Sequence, residues 1–261
     1  MAVLESERRG PAAWLWLNRP EVRNALNGEL QDALSRSLDE LEKQAVVRVI
    51  VLAGRGQAFS AGGDLARMEQ AAKLAQARSR REARRFARLL LRIHTYPKPV
   101  IARVHGAAFA GGMGLCAACD LVIAAEEAEF CLPEVRIGLV PAMISPYLVR
   151  ALGAPQARRY VLTGERLGAR EAHRIGLVHE CVPAAGLDAS VERLVGQIAR
   201  AGPNALAHAK KLLARVERAG ITPKLAADTA SVLAAVRGGE EAREGIRAFL
   251  ERRAPFWSGR S

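Results

Sequence analysis

The sequence predicts an α/β fold: a core of parallel strands joined by crossover helices, followed by a C-terminal helical region. Three observations carry this. Val46 to Leu52 is a β-branched run with almost no alternation, the pattern of a strand buried on both faces of a parallel sheet, and Val100 to Val104 and Asp120 to Ala124 supply two more strands. Helical periodicity stands between these runs. Strands also end in glycine turns, at Phe59-Ser60-Ala61-Gly62-Gly63-Asp64-Leu65 and at Val104-His105-Gly106-Ala107-Ala108-Phe109-Ala110-Gly111-Gly112-Met113-Gly114, and open parallel sheets hold ligands at such ends.

Taken in order, Val3 to Leu4 and Trp14 to Leu17 read as short strands around a turn at Gly10-Pro11, and Asn18-Arg19-Pro20 closes the second. Asn27 is placed to cap a helix in which Leu30, Leu34, Leu38 and Leu41 repeat at helical spacing. Gly54-Arg55-Gly56 ends the buried strand that follows. The second glycine turn leads into a long Ala/Arg helix reaching to about His94, and Pro97 and Pro99 break it before the next strand. Past Pro133-Glu134 the pattern is helical over Ala142 to Leu152, Pro155 to Leu162 and Ala169 to Ile175, with a short strand at Val178 to Val182. From Leu187 three or four amphipathic helices follow, separated by Gly202-Pro203, Gly220 to Pro223 and Gly238-Gly239. The expected division is 1–186 for the core and 187–261 for the helical region.

The chain has 261 residues, enough for a full core, and half of them are apolar. No apolar run approaches a membrane span, and Met1 to Gly10 lacks the apolar stretch of a signal peptide, so the expected location is cytoplasmic. Lysine and arginine outnumber aspartate and glutamate by 39 to 27, a formal charge of +12 that suits polyanionic partners, whether nucleic acid or a nucleotide cofactor. Much of the excess, at Arg78, Arg80, Arg81, Arg84, Arg85, Arg88 and Arg92, reads as a solvated helix face. Cys116, Cys119, Cys131 and Cys181 read as reduced thiols; Cys116-Ala-Ala-Cys119 has CxxC spacing but no second pair or nearby histidine, so no metal is expected.

Glycine permits a sharp turn and a close backbone approach, and free N–H groups at a helix start suit either a phosphate or an oxygen that gains charge during a reaction. The turns alone leave those two open. Together with Leu17-Asn18-Arg19-Pro20, Asn24-Ala25-Leu26, Leu132-Pro133-Glu134-Val135, Ala201-Gly202-Pro203-Asn204-Ala205 and Phe249 to Arg253, in that order along nearly the whole chain, the two turns resemble the crotonase family of enoyl-CoA hydratases and isomerases.

The resemblance implies a crotonase-like core with an acyl-CoA site and C-terminal helices that cover CoA and build a homotrimer or a dimer of trimers. It implies no prosthetic group, with coenzyme A present as part of the substrate. By position, the Gly63 and Gly111 N–H groups would hold the thioester oxygen and Glu134 would be the catalytic acid/base. The adenine of CoA would lie along Ala61, Gly63, Asp64 and Leu65 and its upper part near Arg23 to Leu26, Ala25 and Leu26 among them, with Lys210, Lys211, Arg252 and Arg253 as candidate phosphate partners. The second glutamate of family hydratases falls at Gly114, which has no side chain to act as acid or base.

That departure keeps a Δ3,Δ2-enoyl-CoA isomerase open beside the hydratase. The stretch Glu134 to Tyr147 resembles bacterial hydratases acting on branched substrates such as 3-methylglutaconyl-CoA. Gly114 would then either make room for a methyl branch or ease helix packing. Glu134 would otherwise cap a helix or pair with Arg136, Ser145 and Tyr147 read as an ordinary helix start, and His105 receives no role. RNA binding, known in one branch of the family, finds no interleaved aromatic and basic residues here and ranks last.

Overall fold

Gly10, at φ 53°, turns the chain between two strands, β1 (Leu4–Arg9) and β2 (Ala12–Leu17), which pair antiparallel from Leu4 opposite Leu17 to Arg9 opposite Ala12. The computed structural model describes residues 2–64, 76–217 and 219–258, without the side chain of Arg78. The first strand is longer than its apolar residues suggest, because Glu5 and Glu7 spend their side chains on Arg55 and Arg9 while the backbone continues the hairpin.

Helix α1 (Gly28–Glu42) buries Leu30, Leu34, Leu38 and Leu41, and the Asn27 side chain accepts the Leu30 N–H at 2.8 Å, as its spacing predicts. β3 (Val49–Gly54) is buried throughout and lies parallel to β2. β5 (Val100–Val104), β7 (Leu121–Ala125) and β10 (Glu180–Val182) extend the sheet in parallel to the order β1-β2-β3-β5-β7-β10. The expected strands are therefore present: Val100–Val104 as expected, and the others starting one to three residues later, at Val49, Leu121 and Glu180.

A second sheet of short strands was not expected. β4 (Ala58–Ser60), β6 (Ala107–Phe109), β8 (Glu129–Cys131) and β9 (Leu167–Gly168) lie in that order, the first three parallel and the last antiparallel. Each is too short to show a period of two.

Among the described residues, helices between and beyond these strands are α2 (Gln76–His94), α3 (Gly111–Ala118), α4 (Ser145–Thr163) and α5 (Ala169–Arg174). α4 is broken at Gly153, whose φ of 72° and ψ of 156° are not helical, so the two expected helices stand on either side of it with Pro155 at the start of the second. The main core, between the sheets and helices, contains Leu15, Leu17, Ile50, Leu52, Phe59, Met113, Phe130 and Tyr160. The other face of the first sheet, with Trp14, Trp16, Val49, Val51 and Ile101, is covered by Leu187, Val191 and Val195 of α6 (Leu187–Ala199). α7 (Pro203–Val216), α8 (Pro223–Arg237) and α9 (Glu240–Leu250) complete the helical region. Among the described residues no helix is long and apolar enough to cross a membrane.

Candidate active site

Three adjacent parallel strands of the small sheet, β4, β6 and β8, deliver the three expected catalytic positions at one end. Gly63 stands three residues past Ser60, Gly111 two past Phe109, and Glu134 three past Cys131, while Phe109 pairs with Cys131. The two glycine turns touch. A Cβ built on Gly62, whose φ is 87°, would stand 2.6 Å from the Phe109 carbonyl oxygen and 3.1 Å from the Gly111 nitrogen.

Each donor is aimed by the carbonyl of its own peptide group. A trans peptide points its C=O and N–H in opposite directions, so fixing one fixes the other. The Gly62 carbonyl accepts the Leu26 N–H at 2.7 Å, which sets the Gly63 N–H; the Ala110 carbonyl accepts the Gly114 N–H at 3.0 Å, which sets the Gly111 N–H at the start of α3. Among the described residues neither of these two N–H groups donates to a protein acceptor. Both are free to meet a ligand oxygen. Ala110 is held at φ 47° and ψ −118°, a conformation costly for a residue with a Cβ, and its own N–H donates to the Cys131 carbonyl at 2.8 Å.

Leu26 and Phe86 wall the Gly111 donor, with Leu26 Cδ1 3.1 Å and Phe86 Cζ 3.2 Å from where a Gly111 Cβ would stand. A dry wall of this kind strengthens any hydrogen bond made inside it. Ala61, Ala25 and Leu26 lie on the same two loops, joined by the Ala61 N–H donating to the Arg23 carbonyl at 2.8 Å and by a bridge between Leu26 and Gly63. Asp64 accepts from Arg19 Nη2 at 3.3 Å, while Arg19 Nη1 donates to the Ala25 carbonyl at 2.5 Å, so Asp64 ties the two loops together. Leu65 lies outside the described residues.

Glu134 sits in a 3₁₀ turn, Pro133–Ile137, that Pro133 starts and Gly138 ends at φ 75°. It is half-buried, and its Oε2 is fully buried with no hydrogen-bond partner among the described residues. Among the described residues it pairs with no arginine; Arg136 reaches the Thr163 carbonyl at 3.4 Å instead. Burial disfavours the charged form and raises the Glu134 pKa above the ordinary carboxylate value. A carboxyl shifted in this direction is better suited than an ordinary one to take and return a proton.

Gly114 does not open a space. A Cβ there would lie 2.0 Å from Ile144 Cγ2 and 2.7 Å from Ile144 Cβ, and Ile144 is 2% exposed. The expected room for a methyl branch is taken by the protein itself, because α4 starts directly on α3. Ser145 is spent locally, its hydroxyl donating to the Ala142 carbonyl at 2.9 Å, and Tyr147 meets His94 edge to face at 5.5 Å. His105 Nε2 donates to the Gly56 carbonyl at 2.8 Å, leaving Nδ1 to accept from Arg103 at 3.0 Å; burial lowers its pKa. Of the candidate phosphate partners, Lys210 is committed to Asp120 at 2.6 Å and Arg253 to Glu244 at 2.6 Å. The four cysteines are unpaired, and among the described residues no cluster is arranged to hold a metal.

Sequence reasoning gave no role to the side chains of Asn24, Ser60 and Ile144. Asn24 and Ser60 are fully buried, and Asn27 is the other buried polar side chain among the described residues. Asn24 Nδ2 donates to the Arg55 and Ala58 carbonyls at 2.8 Å each and its Oδ1 accepts the Arg19 N–H at 2.8 Å. The Ser60 hydroxyl donates to the Asn24 carbonyl at 2.9 Å and accepts the Gly62 N–H at 3.2 Å. A small polar residue between two apolar strands was the available signal.

A main sheet carrying a small second sheet, with glycine donors at the ends of two of its strands, is the crotonase fold of enzymes that act on CoA thioesters. The family model for enoyl-CoA hydratase/isomerase matches residues 9–260, and the chain belongs to that family. It is similar to the 2,3-dehydroadipyl-CoA hydratase of Escherichia coli K12, at 35% identity over 266 residues covering 100% of each chain. It is also similar to the hydroxycinnamoyl-CoA hydratase-lyase of Pseudomonas fluorescens, at 37% over 203 residues covering 76% of this chain and 73% of the other. The crystal structure of an enoyl-CoA hydratase from Shewanella pealeana ATCC 700345 superposes with a TM-score of 0.94 at 35% identity, covering 98% of this chain and 96% of that one.

Proposed function

We propose that the protein hydrates a 2-enoyl-CoA thioester, with the Gly63 and Gly111 N–H groups holding the thioester oxygen and Glu134 as acid and base. The buried Oε2 of Glu134, unpartnered among the described residues and in the turn that follows the strand next to the one that delivers Gly111, carries this reading. The water oxygen bonds to C3, the C2–C3 π pair moves into the enolate, and the two N–H groups take up the charge on its oxygen. Glu134 receives the proton from water and returns a proton to C2, restoring the thioester.

One carboxylate suffices for the reverse traffic of an isomerase, in which Glu134 would take a proton from C2 of a 3-enoyl-CoA and return it to C4. Ile144 filling the space beside Gly114 favours keeping this second reading. A branched substrate such as 3-methylglutaconyl-CoA rests on the likeness of residues 134–147 alone. Incubation with crotonyl-CoA, a 3-enoyl-CoA and 3-methylglutaconyl-CoA separates the three: hydration of crotonyl-CoA supports the first reading, and turnover of the 3-enoyl-CoA alone contradicts it.

The region 187–261 is proposed to cover CoA and to join subunits into a homotrimer or a dimer of trimers. Support comes from α9 and the segment after it, where Phe249, Leu250 and Phe256 are 83%, 75% and 63% exposed. Sedimentation measures that assembly directly.

A further inference from the structure

Gly62 is the softest joint in the site. It has no Cβ, its φ is 87°, and the Gly63 donor belongs to the peptide group that follows it. Holding that donor still requires the peptide groups on both sides of Gly62 to be held. The one after it is fixed by the Leu26 N–H on the Gly62 carbonyl at 2.7 Å. The one before it carries the Gly62 N–H, which donates to the Ser60 hydroxyl at 3.2 Å.

Ser60 is in turn anchored. Its hydroxyl donates to the Asn24 carbonyl at 2.9 Å, and the Asn24 side chain is tied to strand β4 through the Ala58 carbonyl and to the neighbouring turn through the Arg55 carbonyl. Asn24 itself stands at φ 56°, a backbone state retained because these bonds over-determine it. Ser60 also backs the second donor: a Cβ on Gly112 would lie 2.5 Å from the Ser60 carbonyl oxygen and 2.9 Å from its Cβ. The side chain thus lies at the junction of the two glycine turns, fully buried and satisfied as donor and acceptor. A hydroxyl in a packed interior is an expensive way to fill space, since an alanine would need no partners.

We propose that Ser60, anchored on Asn24, is a positioning residue that clamps Gly62 and so holds the Gly63 N–H on the thioester oxygen. The inference rests on the reading of Gly63 and Gly111 as the oxyanion donors. Ser60 touches no substrate; it acts through the peptide groups on either side of Gly62.

The test combines crotonyl-CoA kinetics with the infrared C=O stretch of bound butanoyl-CoA labelled with ¹³C at the thioester carbonyl, a saturated ester that cannot add water. In the unaltered protein the stretch falls to lower wavenumber on binding, as two donors polarise the bond. Ser60→Ala is expected to lose at least half of that downshift and about 10-fold or more in kcat, with KM changed less than about 3-fold, because the donor drifts while the rest of the CoA ester binds as before. Ser60→Cys, similar in size and a weaker hydrogen-bonding partner, should fall between the two and carries the test if the alanine variant does not fold. A folded variant with the full downshift and full kcat, merely melting at lower temperature, overturns the clamp and leaves Ser60 a packing residue. Absence of any downshift in the unaltered protein instead refutes the oxyanion reading itself.

Discussion

Ile144 occupies the place that a side chain at Gly114 would need, its Cγ2 lying 2.0 Å from the position of the missing Cβ. The glycine therefore serves the contact between α3 and the start of α4, and its N–H fixes the Ala110 carbonyl behind the Gly111 donor. Packing and catalytic geometry meet at this residue.

Gly114→Ala should lose about 1 to 3 kcal/mol of stability, since the new methyl forces a buried isoleucine out of its position. Ile144→Ala in the same chain should return part of that loss by clearing the space, so the two changes together are less destabilising than their sum. Urea denaturation of the two single variants and the double variant measures this; strict additivity would contradict the contact.

Glu134→Gln should raise the melting temperature at pH 7. Burial raises the folded pKa of Glu134 above its reference value of 4.5, so the folded state retains this proton over a window above 4.5 in which the unfolded chain has released it. Stability is lost as pH rises through that window. The amide escapes the penalty, and the advantage should vanish below about pH 4.5, where both states carry the neutral acid. Melting curves from pH 4 to 8 test the sign; a variant less stable at pH 7 would contradict the buried, unpartnered carboxylate.

Gly62→Ala places a Cβ 2.6 Å from the Phe109 carbonyl oxygen and 2.7 Å from Ala110 Cβ, at a φ of 87° that a side chain disfavours. The two turns must part, and turnover should fall by roughly 100-fold as the donors separate. Wild-type turnover in a folded variant would mean that the turns are independent.

The buried strands and the α1 stripe were legible because long apolar runs and a leucine repeat leave little choice of structure. The order of short motifs pointed to Gly63, Gly111 and Glu134, whose roles are proposals, and the structure places the strands that precede them side by side. The small sheet was not legible, since strands of two or three residues such as Ala58–Ser60 and Glu129–Cys131 carry no period. Nor was the fate of Gly114: a glycine declares that no side chain is present, while the neighbour that fills the gap, Ile144, lies 30 residues away in sequence and is found only by folding.

The most direct test of the whole account is single-turnover hydration of crotonyl-CoA by Glu134→Gln, paired with its binding of butanoyl-CoA. The amide preserves shape and size but can neither take the proton from water nor return one to C2. The account predicts turnover lowered by roughly 100-fold or more with the dissociation constant changed by less than about 3-fold. Turnover equal to that of the unaltered protein would remove Glu134 from the chemistry and contradict the mechanism.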